Sequence, residues 1–134
     1  MAQGVLMEAA RLKGADVLVE SAGTAAYHVG EQPDARSMAT ARKFGLDLSK
    51  QRARKINLND FENFDLILVM DAQNLKDVLQ LAPNSNAKER VHLYRSDLKD
   101  VDDPYYGGEN DFLNMYRVLS EHAQYWVHQA QKNS

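Results

Sequence analysis

The run Leu66-Ile67-Leu68-Val69-Met70 restricts the fold more than any other stretch of this chain. Apolar residues in unbroken succession leave no face for water, so the run belongs in a sheet covered on both faces. Such sheets are parallel and need crossover helices between their strands. The flanking sequence supplies them. Asp71 is placed to cap a helix through Leu75, Val78 and Leu79 that Pro83 closes, and Val91-His92-Leu93-Tyr94 follows as a shorter strand. Upstream, Val17-Leu18-Val19 reads as a buried parallel strand. It follows a helix over residues 1–13, with Val5, Leu6, Ala9, Ala10 and Leu12 on its apolar side and Gly14 as its stop. Asp34 caps a helix over Ala35–Phe44, ended by Gly45, with Met38, Ala41 and Phe44 facing in. Asn59 caps a short turn through Phe61 and Phe64. Phe112, Met115, Tyr116, Leu119, Ala123, Trp126 and Ala130 recur at three- and four-residue steps, the mark of a long amphipathic helix. The expectation is a three-layer α/β sandwich around a parallel sheet, one domain over residues 1–134.

Composition narrows the function. With no cysteine there is no disulfide, no thiolate metal site and no thiol nucleophile. A net charge of −3 argues against nucleic acid as a partner. There is neither an apolar run long enough to span a membrane nor a charged-then-apolar leader, so a cytoplasmic location is expected. No glycine-rich phosphate fingerprint is present. Asp97, Asp100, Asp102 and Asp103 lack the alternating ligands and central glycine of a calcium loop, and His28, His92, His122 and His128 are scattered without ligand spacing. Neither a metal nor another cofactor is expected.

In sheets of this kind, sites form at the carboxyl ends of strands. Three loops fall there: Ser21–Tyr27, Met70–Asn74 and Asp97–Gly108. The last contains Asp102-Asp103-Pro104-Tyr105-Tyr106-Gly107-Gly108. Pro104 disfavours helix at Asp103, and the glycines permit a sharp reversal before the long helix. By itself this is either an ordinary acidic turn or a carboxyl group held beside an aromatic wall. Lys50, Arg52, Arg54 and Lys55 are likewise either a solvated basic loop or a positive rim for an anion.

From Met1 onward the chain resembles a bacterial low-molecular-weight protein-tyrosine phosphatase. The marks are Ser21-Ala22-Gly23-Thr24, the loop from Tyr27 to Pro33 followed by Asp34, Ala53-Arg54, Phe64-Asp65 through Met70-Asp71, and Asp103-Pro104-Tyr105-Tyr106-Gly107. The resemblance implies a four-stranded parallel sheet and metal-free hydrolysis of phosphotyrosine and other aryl phosphates. In that chemistry a cysteine attacks phosphorus, and an aspartic acid protonates the departing phenolate and then activates water. It assigns the proton donor to Asp103, the walls around the phenyl ring to Tyr27, Tyr105 and Tyr106, and the bracing of the phosphate loop to Ser21. Where many relatives have a histidine before the Ala-Arg pair, Gln51 stands here.

Relatives begin with an additional strand and a Cys-x5-Arg loop, against which Met1-Ala2-Gln3-Gly4 aligns just beyond. The chain is therefore expected to be N-terminally incomplete, through an internal start or a truncation. It would be inactive alone, with the sheet's central strand absent between Val17–Val19 and Leu66–Met70. A missing central strand leaves two unpaired edges and a marginal fold. Two alternatives accompany this: a non-catalytic module that binds tyrosine-containing partners, and a fragment completed by strand addition, from another chain or by self-association.

Overall fold

The computed structural model describes residues 1–23, 30–52, 54–95, 100–101 and 107–132. In chain order the elements are α1 (Ala2–Leu12), α2 (Ala35–Lys43), α3 (Asp60–Asn63), β1 (Ile67–Val69), α4 (Ala72–Leu81), α5 (Ser85–Glu89), β2 (Val91–Leu93) and α6 (Glu109–Lys132). β1 and β2 pair in parallel, with Ile67 opposite Val91 and Val69 opposite Leu93. Helices cover both faces, which makes the molecule an α/β sandwich.

The apolar run has no alternation because its two sets of side chains enter two cores. Leu66, Leu68 and Met70 pack on a cluster built from Val5, Ala41, Leu48, Tyr94, Leu119, Ala123 and Trp126. Val69 and Ile67 point the other way, into Phe61, Val78, Ala87 and Val91. The first core lies under α1, α2 and α6, the second under α3, α4 and α5.

Most helix ends are where local chemistry puts them. Asp34 accepts the Arg36 N–H at 2.8 Å and Asp71 the Asn74 N–H at 2.7 Å. Gly14 and Gly45, with φ of 65° and 81°, stop α1 and α2 in a conformation that side chains resist. Burial of Phe112, Leu119, Ala123 and Trp126 follows the period read for α6, and Val127, outside that stripe, is buried beside them.

Four expectations fail. Val17–Val19 forms no ladder among the described residues, and Leu18 is 75% exposed. A strand needs a neighbour, and among the described residues the chain here meets one beyond this segment, where Gly23 bridges Lys55 in parallel. Asn59 makes no side-chain cap. Asp60, one residue later, takes the Asn57 N–H at 2.9 Å instead. Phe44 and Leu12 are exposed, because the helices end just there. Phe44 lies on the surface, with its ring stacked on Tyr116 at 3.9 Å between centroids. The short helix α5 carries no hydrophobic period of its own. Asn84 caps it by accepting the Ala87 N–H at 2.8 Å.

Candidate functional site

Of the expected site residues, Asp103, Tyr105, Tyr106 and Tyr27 lie outside the described residues, as does Ala53. Their surroundings are described. Just ahead of the acidic loop, the Val101 N–H donates to Met70 O at 2.6 Å and Asp100 accepts the Ala72 N–H at 3.0 Å. Residues 100–101 are thus tied to the carboxyl end of β1 and the first turn of α4. Beyond the loop, Gly107 O accepts from the Arg36 guanidinium at 3.3 Å, and the Gly108 N–H donates to Asp111 at 2.9 Å. Arg36 also lies 4.8 Å above the Phe112 ring. Both shoulders of the loop are therefore anchored, one to the sheet and one to α2 and α6.

Ser21 is described. Its hydroxyl donates to Gln3 Oε1 at 2.7 Å, while Gln3 Nε2 donates to Val19 O at 3.2 Å. Gln3, in the first turn of α1, thus joins that helix to the segment leading into Ser21-Ala22-Gly23. Nothing in the periodicity of α1 singles it out, since a polar residue in a first helical turn is ordinary. Gly4 beside it lets Leu48 approach so closely that an added Cβ would lie 2.5 Å from its Cδ2 and 3.5 Å from Gln51 Nε2. The position filled by Gln51 therefore lies against the start of α1.

Arg54 is no free cation. It grips Asp60 with two hydrogen bonds, at 2.9 and 3.0 Å, and reaches Glu20 at 3.2 Å. Hydrogen bonding to Asp60 raises the guanidinium above its ordinary value, so it stays charged throughout. Burial pushes the Asp60 carboxyl up, but the Arg54 hydrogen bonds, the Asn57 N–H and the Arg54 charge together hold it below its ordinary value. For Arg54 the positive-rim reading gives way to a structural ion pair. Arg52 donates through Nη1 to Ser49 O and Gln51 O. Among the described residues no group of His, Asp or Glu side chains is arranged to hold a metal ion.

A cleft of about 500 Å³ joins these parts. It runs between residues 16–23 and residues 65–70, and Ser21, Gly23, Met70 and Asn74 all border it. The described portions of the first two expected loops therefore meet at one cleft, and the third is bonded to Met70 and Ala72 at its rim. Well-packed interiors do not tolerate empty space of this size.

With that geometry established, comparison with known proteins is decisive. The sequence pattern described as low molecular weight phosphotyrosine protein phosphatase matches residues 1–134. The chain belongs to this family. It is 37% identical over 123 residues to the low molecular weight phosphotyrosine protein phosphatase of Schizosaccharomyces pombe, covering 88% of this chain and 78% of that one. With the low molecular weight protein-tyrosine-phosphatase YfkJ of Bacillus subtilis it shares 32% over 114 residues, 81% of this chain and 73% of the relative. A protein tyrosine phosphatase from Entamoeba histolytica, solved with Hepes in its active site, superposes with a TM-score of 0.89 at 27% identity, covering 98% of this chain and 88% of its own. Wzb of Vibrio vulnificus in complex with benzylphosphonate gives 0.84 at 26% identity, covering 96% and 87%. In this phosphatase family member the α/β fold is retained although the described sheet has only two strands.

Proposed function

We propose that this chain carries the proton-donating and ring-holding part of a protein-tyrosine phosphatase site and does not hydrolyse phosphate esters by itself. The observation that carries the reading is the pairing of Asp103-Pro104-Tyr105-Tyr106-Gly107, between two anchored shoulders, with a sequence that contains no cysteine. Asp103 is assigned the proton given to the departing phenolate oxygen. Tyr105 and Tyr106, with Tyr27, are assigned the two faces of the phenyl ring, and Ser21 the bracing of the phosphate-binding loop. Benzylphosphonate in Vibrio vulnificus Wzb, a phenyl ring joined through one methylene to a phosphonate, supports aryl phosphates and phosphotyrosine proteins as the substrate class of a completed site.

The chemistry explains why a serine does not replace the missing thiolate. An alkyl hydroxyl is a weak nucleophile near neutral pH unless a base removes its proton. Ser21, at the cleft, donates a hydrogen bond to the amide oxygen of Gln3, which is no base. Asp103 then has no leaving group to protonate.

The test is hydrolysis of p-nitrophenyl phosphate by the purified chain. No turnover above the buffer rate is expected, and turnover that Asp103→Asn abolishes would overturn the reading. Calorimetry with a phosphotyrosine peptide covers the module alternative. Heat of binding without turnover would favour that alternative, and silence at millimolar peptide removes it.

A further inference from the structure

The basic stretch around Lys50 lies outside the cleft, and its charge is not all held in ion pairs. Residues 36–55 hold seven of the sixteen lysines and arginines but only one of the nineteen aspartates and glutamates. This stretch therefore carries +6 in a chain whose net charge is −3, and the rest of the chain carries −9. So uneven a distribution gives the molecule a positive side, which draws in partners of opposite charge.

Three of the seven cations have a carboxylate at hand. Arg36 lies 3.1 Å from Asp34, Lys43 bonds Glu109, and Arg54 holds Asp60 at 2.9 Å. Lys55 stands apart, since its backbone bridges Gly23, which borders the cleft. Arg42, Lys50 and Arg52 remain. All three are exposed, and none forms an ion pair among the described residues.

These three meet at one turn. Leu46 and Leu48 root it in the first core, and Gly45 leads into it with a φ of 81°. Asp47 closes it by accepting the Ser49 N–H at 2.9 Å. The Ser49 contacts come first in holding the Asp47 carboxyl below its ordinary value, and the charges of Arg42 and Lys50 add to them. Residues 42 and 50 are thus both near Asp47, although eight positions apart. Arg52 folds back onto the same turn, donating to Ser49 O at 2.6 Å. One carboxylate among three cations leaves this face positive, and its buried leucines hold it in place.

The size of the face selects the partner. Charge anchoring to an anionic lipid surface takes about four to eight clustered basic residues, and three with an aspartate among them fall short. A nucleic-acid duplex carries a charge every ~1.7 Å along its axis, runs far beyond one turn, and would meet the negative remainder of the chain. A short acidic peptide spans the turn and stops. The guanidinium forks of Arg42 and Arg52 can each take both oxygens of a carboxylate, which suits aspartate and glutamate side chains.

We propose that Arg42, Lys50 and Arg52, on the turn rooted by Leu46 and Leu48, dock a protein partner through a short run of consecutive aspartates or glutamates. This goes beyond the phosphatase reading and is independent of whether a completed site hydrolyses phosphate.

The probe is a fluorescein-labelled hexaglutamate peptide titrated into the full chain, read by anisotropy, with hexaglutamine as the neutral control. Saturable binding to hexaglutamate alone is expected at low ionic strength, weakened about fivefold or more near ~150 mM salt. Arg42→Glu combined with Lys50→Glu, both exposed changes, should weaken it about tenfold or more. Lys76→Glu combined with Lys88→Glu alters the net charge by the same amount on exposed positions of α4 and α5, and should leave the affinity within about twofold. No saturable binding at millimolar peptide, with the chain folded by circular dichroism, overturns the proposal. Equal weakening by the two double variants would trace the effect to net charge and overturns it too. Tighter binding to phosphatidylserine-containing vesicles or to a DNA duplex than to hexaglutamate overturns the choice of partner. Because the readout is binding, its failure is separable from any failure to observe hydrolysis.

Discussion

Along its β2 edge, β1 is closed by a parallel ladder and by two cores whose side chains were chosen for each other. Along its other edge the same strand faces a cleft of about 500 Å³, and the segment across it holds Leu18 out in solvent. The residue types on the two sides are alike: leucines, valines and small residues. What differs is whether a partner for the backbone lies within reach. Apolar composition prepares a segment for burial, but only paired backbone makes it a strand.

A matched pair of truncations breaks this comparison most directly. Leu119 is 1% exposed and sits in the closed core, where its carbonyl also accepts the Tyr94 hydroxyl at 2.5 Å. Leu119→Ala is expected to cost about 2–5 kcal/mol, with a cavity left under α6. Leu18→Ala removes the same atoms from a side chain already in water, and the expected change is within about 0.5 kcal/mol. Urea denaturation of both variants decides it. A Leu18→Ala loss comparable to that of Leu119→Ala would mean that the open side is closed in solution.

The closed side was also the legible one. The Leu66–Met70 run, the Asp34 and Asp71 caps and the α6 stripe are signals within a few residues of one another, and the structure carries each. Val17–Val19 has the same local signal, but its fate rests on a neighbour that local pattern cannot supply. The site divides similarly. The acidic loop announces itself by composition, whereas the Gln3 contacts with Val19 and Ser21 span 16 and 18 residues and leave no periodic trace. Arg54 looked like one basic residue among several because its partner Asp60 is not at a helical spacing from it.

Gly4, next to Gln3 of the cleft wall, sharpens the comparison. Alanine is ordinarily favoured over glycine in a helix by about 1 kcal/mol, so a loosely packed α1 would gain from Gly4→Ala. Here the added methyl would meet Leu48 Cδ2, the end of a side chain 1% exposed, which would have to turn against its packed neighbours. Overpacking of that kind costs about 1–3 kcal/mol, so a net loss is expected, read as a lower denaturation midpoint. A gain in stability would show that α1 moves freely against the segment bearing Leu48 and Gln51.

The smallest expected loss from a buried contact belongs to the ion pair at the cleft's edge, and its sign is fixed by the direction of one shift. The Asp60 carboxyl is held below its ordinary value in the folded chain, so folding favours its charged form. Its contribution is then fully present above the unfolded carboxylate range, near ~4, and is lost as the pH falls through the lower folded value. Asp60→Asn keeps the shape and can still accept from Asn57, but it gives up the charge that Arg54 faces. The expected cost at neutral pH is about 1 kcal/mol, since Arg54 remains partly solvated and retains Glu20. Below the carboxylate range that difference should shrink toward zero, because the wild-type aspartate is then neutral as well. Parallel stability curves for the two proteins down through acid pH would mean that the Arg54 contact does no more than fill space, and that this wall of the cleft is held by packing alone.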